Sequence, residues 1–125
     1  MLRTILLVGI GGFLGSVSRL ILGQGLHRIF DTLFPIGTMM VNILGCFLIG
    51  LIYSLAERNN LMGSDMRMFM AVGFCGGFTT FSSFAFDQIN LLKDSGFLYL
   101  SFYVGGSVFL GFLAVYLGMQ CHKLF

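Results

Sequence analysis

Gly73-Phe74-Cys75-Gly76-Gly77-Phe78-Thr79-Thr80-Phe81-Ser82-Ser83-Phe84 sits at the centre of an apolar stretch that runs from Met68 to Leu92. A glycine pair followed by β-branched and hydroxyl residues is a poor mid-helix sequence. Glycine gives up backbone entropy there, and Ser and Thr offer the backbone competing hydrogen bonds. Yet the stretch is long enough to cross a bilayer, which takes about 20 residues. Inside lipid, broken backbone is tolerated only where protein or a water-lined cavity covers it. A break here ends a first half-helix in carbonyls that suit a cation and begins a second with amides that suit an anion. The competing reading is an unbroken helix packed tightly through Gly73-xxx-Gly77. Two glycines coinciding with Thr79, Thr80, Ser82 and Ser83 favour the break.

Outward from this stretch the chain holds three more apolar runs of spanning length. The four cover about Thr4–Leu26, Gly37–Ala56, Met68–Leu92 and Ser95–Met119. They are separated by short polar breaks, so sequential helices are expected to be antiparallel neighbours within one transmembrane domain, 1–125. Of the 125 residues 57% are hydrophobic and 10% charged, and mean hydropathy is +0.95. A soluble domain carries roughly 25% charged residues, so a water-soluble monomer and a disordered tail are excluded. Net charge is +2 and the basic residues do not cluster, which leaves no surface for nucleic acid. The first run exceeds the roughly 7–15 residues of a signal-peptide core, and only Arg3 precedes it, so it reads as a span.

Orientation is weakly specified. Arg3, Arg58, Arg67 and Lys123 fall on one side; Arg28 and Lys93 fall on the other, with Arg19 if it snorkels. A near-even balance is what insertion in both orientations requires, and a weakly biased single topology fits it equally. Cys46, Cys75 and Cys121 show no metal-ligand spacing and read as small hydrophobes.

Polar residues inside the runs are few: Arg19, Asn42, Asp87, Gln88 and Asn90, with scattered Ser, Thr and Tyr. Such groups should face a bundle interior or water. Asn42 has donors and no charge, so it can hold an anion; it can equally join two helices. Asp87 is a candidate partner for Arg19. Phe78, Phe81 and Phe84 recur every three residues with hydroxyls between them. On a helix they drift around one face. Phenyl edges carry positive potential, so rings beside hydroxyl donors can meet a small anion; a packing stripe is the plainer alternative.

Three motifs together resemble the small fluoride channels known as the Fluc or CrcB family. They are Gly11-Gly12-x-x-Gly15-x-x-x-Arg19, then Gly37-Thr38-x-x-x-Asn42-x-x-Gly45 with Gly50, and the Gly73–Phe84 segment. The resemblance covers nearly the whole chain in order. It implies an all-α membrane protein of four transmembrane helices with a break in the third, assembled as a dual-topology antiparallel homodimer in the cell (inner) membrane. It implies a fluoride-selective channel for passive export, with two antiparallel pores per dimer. It implies that Asn42, Phe81, Phe84, Ser83 and Ser107 line the fluoride pore and that Arg19 stands at the vestibule. It implies a structural sodium ion at the dimer centre, held by backbone carbonyls of Gly76 and Thr79. Asp87 matches an acidic position one turn beyond the second ring. Many relatives carry Ser or Thr four residues after the position of Ser107, where this chain has Gly111, and often Thr at the position of Ser83. The Gly111 difference bears on the far end of the polar track.

The residues themselves show no nucleotide loop and no chain of proton-relay carboxylates, which favours a passive channel. A small four-span proton-coupled multidrug exporter is the alternative. It needs a membrane-embedded carboxylate, and Asp87 is the one clear intramembrane acid. An intramembrane enzyme lacks its parts, since His27 and His122 lie outside the runs and no aspartate pair lies within them. A packing subunit of a larger complex is the remaining alternative.

Overall fold

The computed structural model describes residues 1–30, 34–58, 62–94 and 96–124, the side chains of His122 and Leu124 aside. Helix α1 covers Leu2–Ile29 and α2 covers Ile36–Glu57. A third run begins as α3, Ser64–Arg67, continues as a π-helical segment, Met68–Cys75, and closes with α4, Gly76–Phe78. Helix α5 then covers Phe81–Asp94 and α6 covers Phe97–Gln120, followed by a 3-10 turn, Cys121–Leu124. The four expected crossings are present over residues 2–29, 36–57, 64–94 and 97–120. At 1.5 Å per residue, the 22 residues of α2 extend roughly 33 Å, the thickness of a hydrocarbon core. The third crossing is broken between α4 and α5, as its sequence predicts.

Glycine contacts hold the bundle together. Helix α1 meets the third run backbone to backbone. A Cβ at Gly11 would fall on the Phe69 carbonyl oxygen, at Gly15 on that of Phe74, and at Gly77 on that of Gly12. Gly73 is equally crowded, with the Val8 carbonyl oxygen 2.9 Å from where a Cβ would stand. The two readings of the Gly73–Phe84 segment are therefore both realised. The glycines supply close packing, and the backbone breaks just after them. Helices α2 and α6 form the other tight pair. Gly50 meets the Val115 carbonyl, Gly118 meets that of Phe47, and Ser54 Oγ donates to the Met119 carbonyl at 2.9 Å. In lipid such contacts gain dispersion energy that a side chain would forfeit by holding the helices apart.

The outer surface is apolar. Phe13, Phe109 and Phe112 are exposed, as expected of side chains that face acyl chains. The α5–α6 turn passes through Gly96, whose φ of +82° is one that L side chains rarely adopt. Its N–H caps α5 by donating to the Leu91 carbonyl at 3.0 Å.

Candidate functional site

The break is built by Thr79, Thr80 and Asn42. Thr79 donates its backbone N–H and its hydroxyl to the Cys75 carbonyl, at 2.9 and 2.8 Å, and closes the last turn of α4. Its own backbone is extended, with φ −84° and ψ 155°, so the chain leaves the helix there. Thr80 restarts it. Its Oγ accepts from the Ser83 N–H at 3.1 Å, the bond of a helix N-cap to the third helical residue. It also lies 3.2 Å from Ser82 Oγ. Asn42, on α2, spans the gap. Its Nδ2 donates to the Thr80 carbonyl at 3.0 Å, and its Oδ1 accepts from the Thr80 N–H at 2.8 Å. One carboxamide thus pairs both backbone groups of the residue at the break, and its second N–H is left for another acceptor.

This pairing redirects backbone donors. In a continuous helix the Thr80 N–H would serve the Gly76 carbonyl, and the Ser83 N–H would serve that of Thr79. Here they go to Asn42 and to Thr80 Oγ. Neither carbonyl receives its i+4 donor. On the other side of the break, the N–H groups of Phe81 and Ser82 open α5 and have no carbonyl within the helix to bond. The same event releases acceptors at one end and donors at the other.

Two concavities flank the break, and Thr80 lines both. The first, about 450 Å³, is walled by Asn42, Phe81, Phe84 and Ser107, with Gly76, Thr79, Cys46 and Cys75. The second, about 410 Å³, is walled by Arg19, Ser16, Gln24, His27, Thr38, Ser82 and Ser83. Of the residues singled out in the sequence, Asn42, Phe81, Phe84, Ser107, Gly76 and Thr79 are brought together in the first, and Ser83 and Arg19 in the second. The Phe81 and Phe84 rings are 6.0 Å apart and tilted by 35°. Phe81 is 80% exposed, so its ring projects from the chain. Ser107 Oγ is buried and meets no hydrogen-bond partner among the described residues.

Two expectations are corrected. Phe78 does not share a face with Phe81 and Phe84, because the break falls between them; it is 3% exposed and stacks on Phe74 at 5.6 Å. Asp87 does not pair with Arg19. It accepts from Tyr103 Oη at 3.3 Å and from the Thr38 hydroxyl. Arg3 forms an ion pair with Asp65, at 2.6 Å on the bundle surface. Gly111 is buried with Cys46 Sγ 3.5 Å from where its Cβ would be, so it faces α2.

Two residues escaped the sequence reading. Tyr103 is fully buried, stacks on Phe84 at 5.1 Å and meets Phe34 edge-on at 5.3 Å. It braces the second ring and holds Asp87. Its one signal was position, one turn before Ser107 on α6. Thr80 was read as one hydroxyl among four, although its place directly before an apolar-periodic run is an N-cap signature.

The family model of CrcB-like protein, Camphor Resistance (CrcB), matches residues 6–119 of the chain. A protein of Chlorobium phaeobacteroides (strain DSM 266 / SMG 266 / 2430) named fluoride-specific ion channel FluC is 51% identical over 119 residues, 95% of this chain and 92% of its own. The similarly named protein of Prosthecochloris aestuarii is 49% identical over 120 residues, 96% of this chain and 93% of its own. That of Phocaeicola vulgatus is 47% identical over 120 residues, 94% of this chain and 97% of its own.

Proposed function

We propose, from the premise that the chain belongs to the CrcB-like family, that it is a fluoride-specific ion channel through which fluoride leaves the cell passively. It is a multi-pass membrane protein and not an enzyme. The observation that carries the reading is the Asn42-paired break, which places uncharged donors beside two phenyl rings in one groove. Fluoride is small and strongly hydrated, so a protein path must replace its water with donors. The spare Asn42 N–H, the first amides of α5, the Ser107 hydroxyl and the positive ring edges of Phe81 and Phe84 are such donors. None carries a full charge, which suits conduction, since an ion held too tightly cannot leave. Arg19 lines the second concavity with Ser82 and Ser83, where it raises the local anion concentration. The exporter alternative is not favoured, because Asp87 is engaged by two hydroxyls.

Reconstituted into liposomes, the purified protein should pass fluoride electrogenically without a proton gradient or nucleotide. Phe81→Ile and Phe84→Ile should each slow that flux while the protein stays folded. Equal chloride and fluoride flux, or a strict need for a proton gradient, would overturn the reading.

The working unit in this reading is a dual-topology antiparallel homodimer with two antiparallel pores. Supporting it are the exposed Phe81 ring, the openness of the structure around Gly76, where a Cβ would meet nothing within 4 Å, and the near-even Lys/Arg balance. One chain walls a groove and does not enclose a path. A structural sodium ion belongs to the same proposal. The residues fit it: the Gly76 and Thr79 carbonyls are neutral oxygens stripped of their helical donors, both line the groove, and two copies supply four. Such an ion would satisfy carbonyls that lost their helical donors at the break and that lipid or a partner subunit would keep from water. Exchange of sodium for a large organic cation should then destabilise the dimer. A monomer with full flux, or a dimer indifferent to sodium, would count against this assembly.

A further inference from the structure

We infer that His27 is a titratable second cation of the vestibule: when protonated it joins Arg19 in drawing fluoride toward the break, so that proton concentration sets the rate of flux. This role rests on the channel reading and adds a residue to it. Ser16, Arg19, Gly23 and His27 follow one another at three- and four-residue steps, the spacing of one helix face, and all line the second concavity. At about 1.5 Å per residue that stripe of α1 extends roughly 16 Å. Its inner end reaches the break, where Ser16 Oγ lies 3.5 Å from the Gly77 carbonyl oxygen and Thr80, Ser82 and Ser83 complete the wall. Its outer end is the last turn of α1, which holds His27 and Arg28. The concavity is thus a lane from the end of the span to the start of α5, and His27 stands at its mouth. A missing side chain makes the seat for it. The imidazole Nε2 and Cδ2 both lie 3.1 Å from where a Cβ of Gly37 would stand, in the first turn of α2.

The groups around the imidazole decide what its protonation does. On α1, Arg19 and Gln24 share the lane with it, and Arg28 follows it in the chain. Helix α2 presents Gly37 and Thr38, which are uncharged. On α5 the acid is Asp87, its carboxylate engaged by the Thr38 and Tyr103 hydroxyls. Asp31 lies outside the described residues. The arginines hold their charge at any physiological pH, whereas imidazole is the side chain that changes charge between about pH 5 and 8. Protonation therefore adds one positive charge and a second N–H donor at the mouth. In a cleft with low-dielectric walls, such a charge raises the local concentration of anions.

The test is fluoride efflux from liposomes holding the full-length protein, at sub-saturating fluoride and with the same pH on both sides. Protein-free vesicles are subtracted to remove leakage of hydrogen fluoride. From about pH 8 to about pH 6, flux through the native protein should rise about two- to tenfold. His27→Gln keeps a polar side chain without the charge, and should hold one rate across that range. His27→Lys is charged throughout, and should already show at the higher pH the rate that the native protein reaches at the lower. Rescue by lysine separates charge from packing, since a merely structural histidine would not be restored by it. A flat profile in the native protein, or the same rise in His27→Gln, would overturn this role and leave the channel reading standing. A folded His27→Lys that behaves as His27→Gln would overturn it too. If His27→Lys fails to fold, the His27→Gln profile decides alone. No fluoride flux at any pH would sink the channel reading and this role with it.

Discussion

Asn42→Ala should reduce fluoride flux by well over tenfold, the factor that about 1.4 kcal/mol controls. The substitution removes one side chain but strands two backbone groups, the Thr80 N–H and the Thr80 carbonyl. Leaving a buried polar group unpaired costs about 1–3 kcal/mol. The break has a local way out. The Thr80 N–H can return to the Gly76 carbonyl if the third run straightens into a continuous helix. That escape consumes the acceptor at one end and moves the α5 N-terminus away from the groove. Loss of flux with the fold retained is the expected result, and circular dichroism with size-exclusion chromatography checks the second half. Asn42→Asp separates the roles of the carboxamide. A carboxylate still accepts from the Thr80 N–H, so the break should persist. It has no proton for the Thr80 carbonyl or for an anion, and its charge repels fluoride. Flux should vanish in this variant with less loss of stability than in the alanine variant. Unaltered flux in either would show that Asn42 is a packing residue.

The neighbouring glycines should respond in opposite ways. Gly77→Ala should destabilise the protein by about 1–3 kcal/mol, the range for inserting a group into a filled core, and Gly77→Val should prevent assembly. The added Cβ falls on the Gly12 carbonyl oxygen, and backbone cannot turn aside as a flexible side chain can. Gly76→Ala, one residue earlier, meets nothing within 4 Å in this chain. It should leave the single chain folded and gain a little helix propensity. Any loss of stability or flux in Gly76→Ala must therefore come from a neighbour outside the chain, which makes the variant a direct probe of the proposed dimer and its cation. Thermal stability in detergent, measured for both variants side by side, checks the contrast. Equal tolerance at the two positions would mean that α1 does not seat against α4 as closely as the structure has it.

Local sequence was sufficient for part of this. Span number follows from uninterrupted apolar length, because lipid accepts only segments that satisfy their own backbone. The break follows from composition at one place, since Gly76-Gly77 and Thr79-Thr80 oppose a helix whatever surrounds them. Thr80 could also have been placed from sequence, as an N-cap needs only its own hydroxyl and an N–H three residues on. What the sequence could not decide was which side chain meets which across helices. In water an amphipathic period marks the buried face, but lipid is as apolar as a core, so the buried Phe78 and the exposed Phe81 look alike in the sequence. Asn42 read equally well as an anion donor or a helix tie until α2 was set opposite Thr80, 38 residues away. The partnership of Asp87 with Tyr103 and Thr38, and the approach of Cys46 to Gly111 on α6, depend in the same way on how the helices are rotated and seated. That seating is fixed by glycine-lined backbone contacts between α1 and the third run and between α2 and α6. Glycines announce that a helix is approached closely but not by which neighbour, so only the tertiary structure assigned the partners.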